Sequence, residues 1–333
     1  MFASWAASAL ILSLSPTLTA DSAAAALVEP DKKIAEQAIA PNIAGEATEI
    51  LALQEERNKR LTVPVLIEGA GPYNFMIDTG SQATAVTHEI NESLGLNPKG
   101  TATLVGMAST RNVDLVEVES LKVGSHEVFD LVSPVLNKTH VGADGIIGLD
   151  SLQDFRVLID FRDESIAVED VTKLKNARRG FEIVVRARPQ LGQLLITDAM
   201  VEGVKATVII DTGAQASLAN NALKDRIRAK RAQEVITTDV NGVELTGQMS
   251  YVRSLTIEGM SLRNVALTFA DAPAFEALGL QDKPVLSLGM QHLRMFDRVA
   301  IDFSSKRILF DVPRDIARKL RRARIQGTRT LRP

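Results

Sequence analysis

From Leu61 onward the apolar positions fall in short alternating runs broken by Gly, Pro and Asn. Leu61-Thr62-Val63-Pro64-Val65-Leu66-Ile67 is followed by Gly69-Ala70-Gly71-Pro72 and then by Tyr73-Asn74-Phe75-Met76-Ile77, which predicts strand, turn, strand. Thr87 to Leu96 predicts a short helix with Thr87 as its cap and Gly95 ending it. More strands are predicted at 101–106, 113–123, 127–136, 155–161 and 165–169.

The second half repeats this order. Phe181-Glu182-Ile183-Val184-Val185 and Leu194-Leu195-Ile196 lead through the turn Glu202-Gly203 into another apolar run, and a helical stretch spans Asn220 to Arg231. Both runs end in the same triplet. Phe75-Met76-Ile77 enters Asp78-Thr79-Gly80-Ser81, and Val208-Ile209-Ile210 enters Asp211-Thr212-Gly213-Ala214, 133 residues later. Downstream, Ile146-Ile147-Gly148 precedes the strand 155–161, and Leu288-Gly289 precedes a matching strand at 295–303, each ending in Ile-Asp-Phe. From Asp to Gly the spacing is 70 residues in one half and 78 in the other, so the chain carries an internal repeat. The extra length falls at Asp271 to Lys283, which reads as an insertion loop. The fold class expected is mainly β, in two lobes.

Outside the repeat the pattern differs. Phe2 to Ala20 is apolar or small, densest at Ala9-Leu10-Ile11-Leu12-Ser13-Leu14, and small residues follow. This predicts a signal peptide over 1–25, or an N-terminal anchor where it is not cleaved, although no Lys or Arg precedes the apolar stretch. Residues 26–60 read as a linker with a charged helix from Glu46 to Arg60; a tether and a prosegment are both open. The lobes then occupy 61–175 and 176–313, and 314–333 is a tail with eight basic residues and one acidic one. That tail reads first as a solvated surface, with contact to an anionic membrane as the alternative. The expected location is exported, periplasmic or secreted.

Composition adds exclusions. In 333 residues, 45% are apolar and 24% charged, the mix of a globular protein with room for two cores. A formal charge of −3 argues against nucleic acid as a partner. There are no cysteines, hence no disulfide, thiolate site or thiol nucleophile. His88, His126, His140 and His292 are scattered without metal-ligand spacing, and no cofactor or metal is implied.

The chemistry therefore rests on the two triplets. One Asp-Thr-Gly is an ordinary turn sequence. Two, each after an apolar strand and each answered by an apolar-Gly segment, point to a pair of rigidly held carboxylates at Asp78 and Asp211. Gly80 and Gly213 permit the turn. Thr79 and Thr212 can bond the neighbouring backbone of their own loops. Ser81 can donate to Asp78 while the Ala214 side chain offers Asp211 nothing, so Asp78 is expected to carry the charge more readily and Asp211 the proton.

Residues 61–312 resemble the aspartic peptidase family, in its pepsin-like and retroviral-type forms. The resemblance implies two pseudo-symmetric barrel-like lobes with short helices and an active site between them. It implies an aspartic endopeptidase acting on protein or peptide, with Asp78 and Asp211 as a dyad formed within one chain. The alternatives are a silent peptide-binding module with the same fold and a dyad assembled between two chains. Gly148 and Gly289 take the place of the family's support glycines, and Ser287 departs from the apolar residue expected there. A flap is expected over Thr103–Val113, with Gly106, Met107 and Ala108 at its tip and Val240-Asn241-Gly242-Val243 as its counterpart. No Tyr occurs in that stretch, which leans toward the retroviral-type pattern.

Overall fold

A computed structural model describes residues 9–10, 62–124, 126–170, 180–227, 232–314 and 316–317. The rest of 1–25, all of 26–60 and residues 318–333 lie outside the described residues, as do the last positions of the helix expected to reach Arg231.

The strands, in chain order, are β1 (Ala9–Leu10), β2 (Thr62–Ile67), β3 (Ala70–Ile77), β4 (Ala85–Thr87), β5 (Pro98–Val105), β6 (Thr110–Val123), β7 (His126–Leu136), β8 (Gly145–Ile147), β9 (Phe155–Asp160) and β10 (Ser165–Asp170). The second half supplies β11 (Ile183–Arg186), β12 (Arg188–Gln190), β13 (Gln193–Val201), β14 (Val204–Ile210), β15 (Leu218–Ala219), β16 (Gln233–Thr238), β17 (Glu244–Ile257), β18 (Met260–Phe269), β19 (Val285–Leu288), β20 (Arg298–Asp302) and β21 (Arg307–Asp311).

Alternation decides which side chains point inward. In β2, Val63, Val65 and Ile67 are buried while Pro64 is exposed, so one face of the strand enters the core. The strands close in the same order in both halves. β2-β3-β8-β4-β7-β6 returns to β2, and β13-β14-β19-β15-β18-β17 returns to β13. Each lobe is thus a six-stranded barrel, with β5 and β16 as the outer strands of matching hairpins. The central pairing of each barrel is parallel. Ile77 lies opposite Ile147 between β3 and β8, and Ile210 opposite Leu288 between β14 and β19.

A third sheet, β10-β9-β20-β21-β11, joins the lobes. The two repeated Ile-Asp-Phe strands meet here directly: β9 and β20 pair antiparallel, with Ile159 opposite Val299 and Val157 opposite Ile301. All four are buried, and the main hydrophobic core runs through them from one barrel to the other. A shared sheet and core thus tie the two lobes together.

Two local readings change. Thr87 stands at the N-cap of the helix His88–Leu94, but its side chain makes no capping bond, while Gly95 ends the helix at φ 63° as expected. The stretch 271–283 is not an open loop. It contains the helix Pro273–Ala277 and buries Phe275, Leu278 and Leu280 in one apolar cluster with Leu195, Ile209 and Leu218 of the second barrel. Among the described residues no helix is long and apolar enough to cross a membrane.

Candidate active site

Each aspartate sits one step past a buried strand. The Asp78 amide donates to the Ile147 carbonyl at 3.0 Å and the Asp211 amide to Leu288 at 3.1 Å, which continues the parallel ladders and fixes both loops on their barrels. Within each loop the glycine amide turns back to the carboxylate: Gly80 to Asp78 Oδ1 at 2.8 Å, and Gly213 to Asp211 Oδ1 at 3.1 Å. Both aspartates are fully buried.

The loops face each other. A Cβ added to Gly213 would lie 2.3 Å from Cγ and Oδ2 of Asp78, so the first carboxylate rests on the backbone of the second loop. Only a residue without a side chain leaves that space. The threonines complete the contact across the lobes rather than within each loop as the sequence suggested. Thr79 Oγ1 donates to the Ile210 carbonyl at 2.8 Å and Thr212 Oγ1 to the Ile77 carbonyl at 2.7 Å. In return, the Thr79 amide donates to Thr212 Oγ1 at 3.0 Å and the Thr212 amide to Thr79 Oγ1 at 3.2 Å. Four buried, reciprocal bonds thus fix the two aspartates relative to each other.

The segments ending in Gly148 and Gly289 thread behind the loops. An added Cβ would lie 2.3 Å from the Ala83 carbonyl carbon in one lobe and 2.3 Å from the Ala216 oxygen in the other. Register places Ile146 and Ser287 at matching positions, opposite Met76 and Ile209. Ser287 therefore belongs to an intact support segment. Its hydroxyl donates to Asp211 Oδ2 at 2.8 Å.

Ser81 does not play the part expected of it. Its hydroxyl donates to the Ala83 carbonyl at 2.8 Å, because the chain turns back directly after the loop and brings that oxygen within reach. Ala214 contributes through its backbone, its amide donating to Asp211 Oδ1 at 3.0 Å. The extra hydroxyl thus arrives at Asp211 from β19, and the division of charge inferred from Ser81 and Ala214 loses its basis. Burial pushes the Asp211 carboxyl up to about 6, opposed by its bonds from Ser287, Ala214 and Gly213.

Beneath the loops the lobes differ. Thr84 Oγ1 donates to Asp150 Oδ1 at 2.6 Å in the first. In the second, Ser217 accepts from the Gly289 amide at 3.0 Å and lies 2.7 Å from His292 Nδ1. Burial holds this imidazole neutral by pulling its pKa down to about 4. Gln193, at the start of β13, was missed in the sequence. It is buried and its Nε2 donates to the Gly80 carbonyl at 2.8 Å, bracing the first loop from the second lobe. Its only signal was a polar residue at the head of an apolar strand.

The hairpin turns at 106–109 and 239–243 meet above this centre. Asp239 organises its own turn through Oδ1, which accepts from the Asn241 and Val243 amides at 2.9 and 3.0 Å. Its Oδ2 accepts from Ser109 Oγ at 2.7 Å and the Ala108 amide at 3.2 Å, clasping the opposite hairpin. Asn241 Nδ2 adds a bond to Ser109 Oγ at 2.9 Å. Gly106 is needed at the crossing, since a Cβ there would lie 2.6 Å from Asp239 Oδ2. Each tip also buries an apolar side chain in the opposite lobe's cluster. Met107 joins Leu195, Ile209, Ala214 and Phe275, and Val240 joins Met76, Leu104 and Ile146.

Two pseudo-symmetric β-barrels with paired Asp-Thr-Gly loops cross-bonded at their interface define a bilobal aspartic-protease fold. The profile of the aspartyl protease family matches residues 63–151 and 197–292, one segment in each lobe and together more than half of the chain. The chain belongs to that family. Similar solved structures include a retropepsin-like aspartic protease from Rickettsia conorii, at 19% identity over 39% of this chain and 88% of that one, with a TM-score of 0.28. An aspartic proteinase from Irpex lacteus aligns at 11% identity over 76% and 94%, with a TM-score of 0.38. Conglutin gamma, a basic 7S globulin from lupine seeds, aligns at 10% identity over 76% and 95%, with a TM-score of 0.37. No curated protein matches the sequence.

Proposed function

We propose that this chain is an aspartic endopeptidase whose dyad is Asp78 and Asp211 of a single chain. The observation that carries the reading is the reciprocal threonine bonding, which fixes two buried aspartate loops against each other. A binding surface has no need of two ionisable groups held this way. Like charges so close cannot both form cheaply, so the pair holds one proton.

The chemistry then balances without a covalent intermediate. The ionised carboxylate takes a proton from a water as its oxygen bonds to the scissile carbonyl carbon. The protonated carboxyl donates to the carbonyl oxygen, forming a tetrahedral diol. Transfer of a proton to the amide nitrogen lets the C–N bond break, releasing an acid and an amine. The hairpins must part for a peptide to enter, because Met107 and Val240 are buried in the closed arrangement.

The apolar N-terminal segment supports export to the periplasm or outside, and the basic tail supports a contact with an anionic membrane surface. Both belong to the proposal. Its direct test is incubation of the purified chain and Asp78→Asn with a peptide library at several pH values. Cleavage by the first alone supports the reading, and cleavage by neither favours a binding module.

A further inference from the structure

The second lobe gives its aspartate a partner that the sequence did not suggest. Ser287 is fully buried on β19, parallel to the strand that delivers Asp211, and its hydroxyl reaches Asp211 Oδ2 at 2.8 Å. Oδ1 of the same carboxylate accepts from the Gly213 and Ala214 amides, so both oxygens of Asp211 are held. At the matching position of the first lobe stands Ile146, which has no hydroxyl. The repeat is thus broken at one residue behind the dyad.

We propose that Ser287 is a positioning residue of the dyad, fixing Asp211 Oδ2 and favouring the charged form of that carboxylate. The proposal rests on the reading of Asp78 and Asp211 as a dyad. Its physical basis is that a donor aimed at a carboxylate oxygen stabilises the anion, and does so most where water is excluded. β19 is suited to the task, because its parallel register with β14 sets the hydroxyl at a fixed offset from the loop.

The titratable groups on the surrounding elements are few. Asp78 lies across the interface, its carboxylate against Gly213 of the Asp211 loop. His292 stands behind Gly289 through Ser217 and is held neutral, Asp150 lies under the first loop, and Asp239 sits at the hairpin tips. None replaces the Ser287 hydroxyl at Asp211 Oδ2.

The test is a titration of carboxyl carbons by NMR in the full chain labelled with carbon-13 aspartate, with Asp211 assigned from its loss in Asp211→Asn. Removing a donor to the charged form raises a carboxyl's pKa, so Ser287→Ala is expected to raise the Asp211 midpoint by about one pH unit or more. Ser287→Cys keeps the shape with a much weaker donor and moves the midpoint the same way, which covers a failure of the alanine variant to fold. Ser287→Thr keeps the hydroxyl and returns it toward wild type. An unchanged or lowered midpoint in Ser287→Ala or Ser287→Cys overturns the proposal. The titration needs no turnover, so a folded chain that cleaves nothing refutes the protease reading and leaves this result standing or falling separately.

Discussion

At the scale of single residues, buried groups near the site titrate in opposite directions. Asp211 is pushed up to about 6, so the folded chain holds a proton that the unfolded chain has lost, and stability falls as pH rises through that value. His292 is pulled down to about 4 from 6.5, so the unfolded chain binds a proton that the folded one refuses, and stability falls as pH drops through that window. The two windows overlap and their slopes oppose, so Asp211→Asn should make stability rise more steeply with pH between about 4 and 6, and His292→Gln should make it fall over about the same range. Denaturant unfolding at a series of pH values measures both. Glycine supplies another prediction. At Gly289 an added methyl meets the Ala216 backbone, which cannot rotate away, so Gly289→Ala should cost about 3 kcal/mol or more in the same assay. The two aspartates and these glycines were legible in the sequence because triplet and spacing recur. The hydroxyl of Ser287 was not, since an apolar position was expected there and only the parallel register shows where it points.

The hairpins meet through their tips, where one carboxylate bonds both turns. Asp239 accepts from four donors, two in its own turn and two in the other hairpin, so it both shapes a turn and ties the two hairpins together. Asp239→Ala should speed amide exchange at 106–109 and 240–243 while leaving β19 and β20 protected. Met107→Ala separates packing from opening. A buried methionine of a rigid core would cost about 2–5 kcal/mol. A hairpin tip can open instead, so the global loss should stay below about 2 kcal/mol while the same amides exchange faster. The position of these turns could be read from Gly and polar residues between alternating runs. Their clasp could not, because Asp239 and Ser109 lie 130 residues apart and neither is unusual in a turn.

At the scale of the molecule, two halves of one chain have become two barrels joined by a sheet to which both contribute. The order of elements made the repeat visible, and the paired β9 and β20 explain why the Ile-Asp-Phe strands recur: each is the other's partner. The threonine crossing was read as local to each loop because a hydroxyl beside its own backbone is the commoner arrangement. Closure of the lobes redirects it across the interface, to the backbone of the opposite loop. The central claim is best tested by assaying peptide hydrolysis with wild type, Asp78→Asn, Asp211→Asn and an equimolar mixture of the two variants. The account predicts cleavage by wild type, a loss of at least about 10³-fold in each variant, and no recovery in the mixture. Cleavage that survives either substitution, is restored by mixing, or is absent from wild type would contradict it.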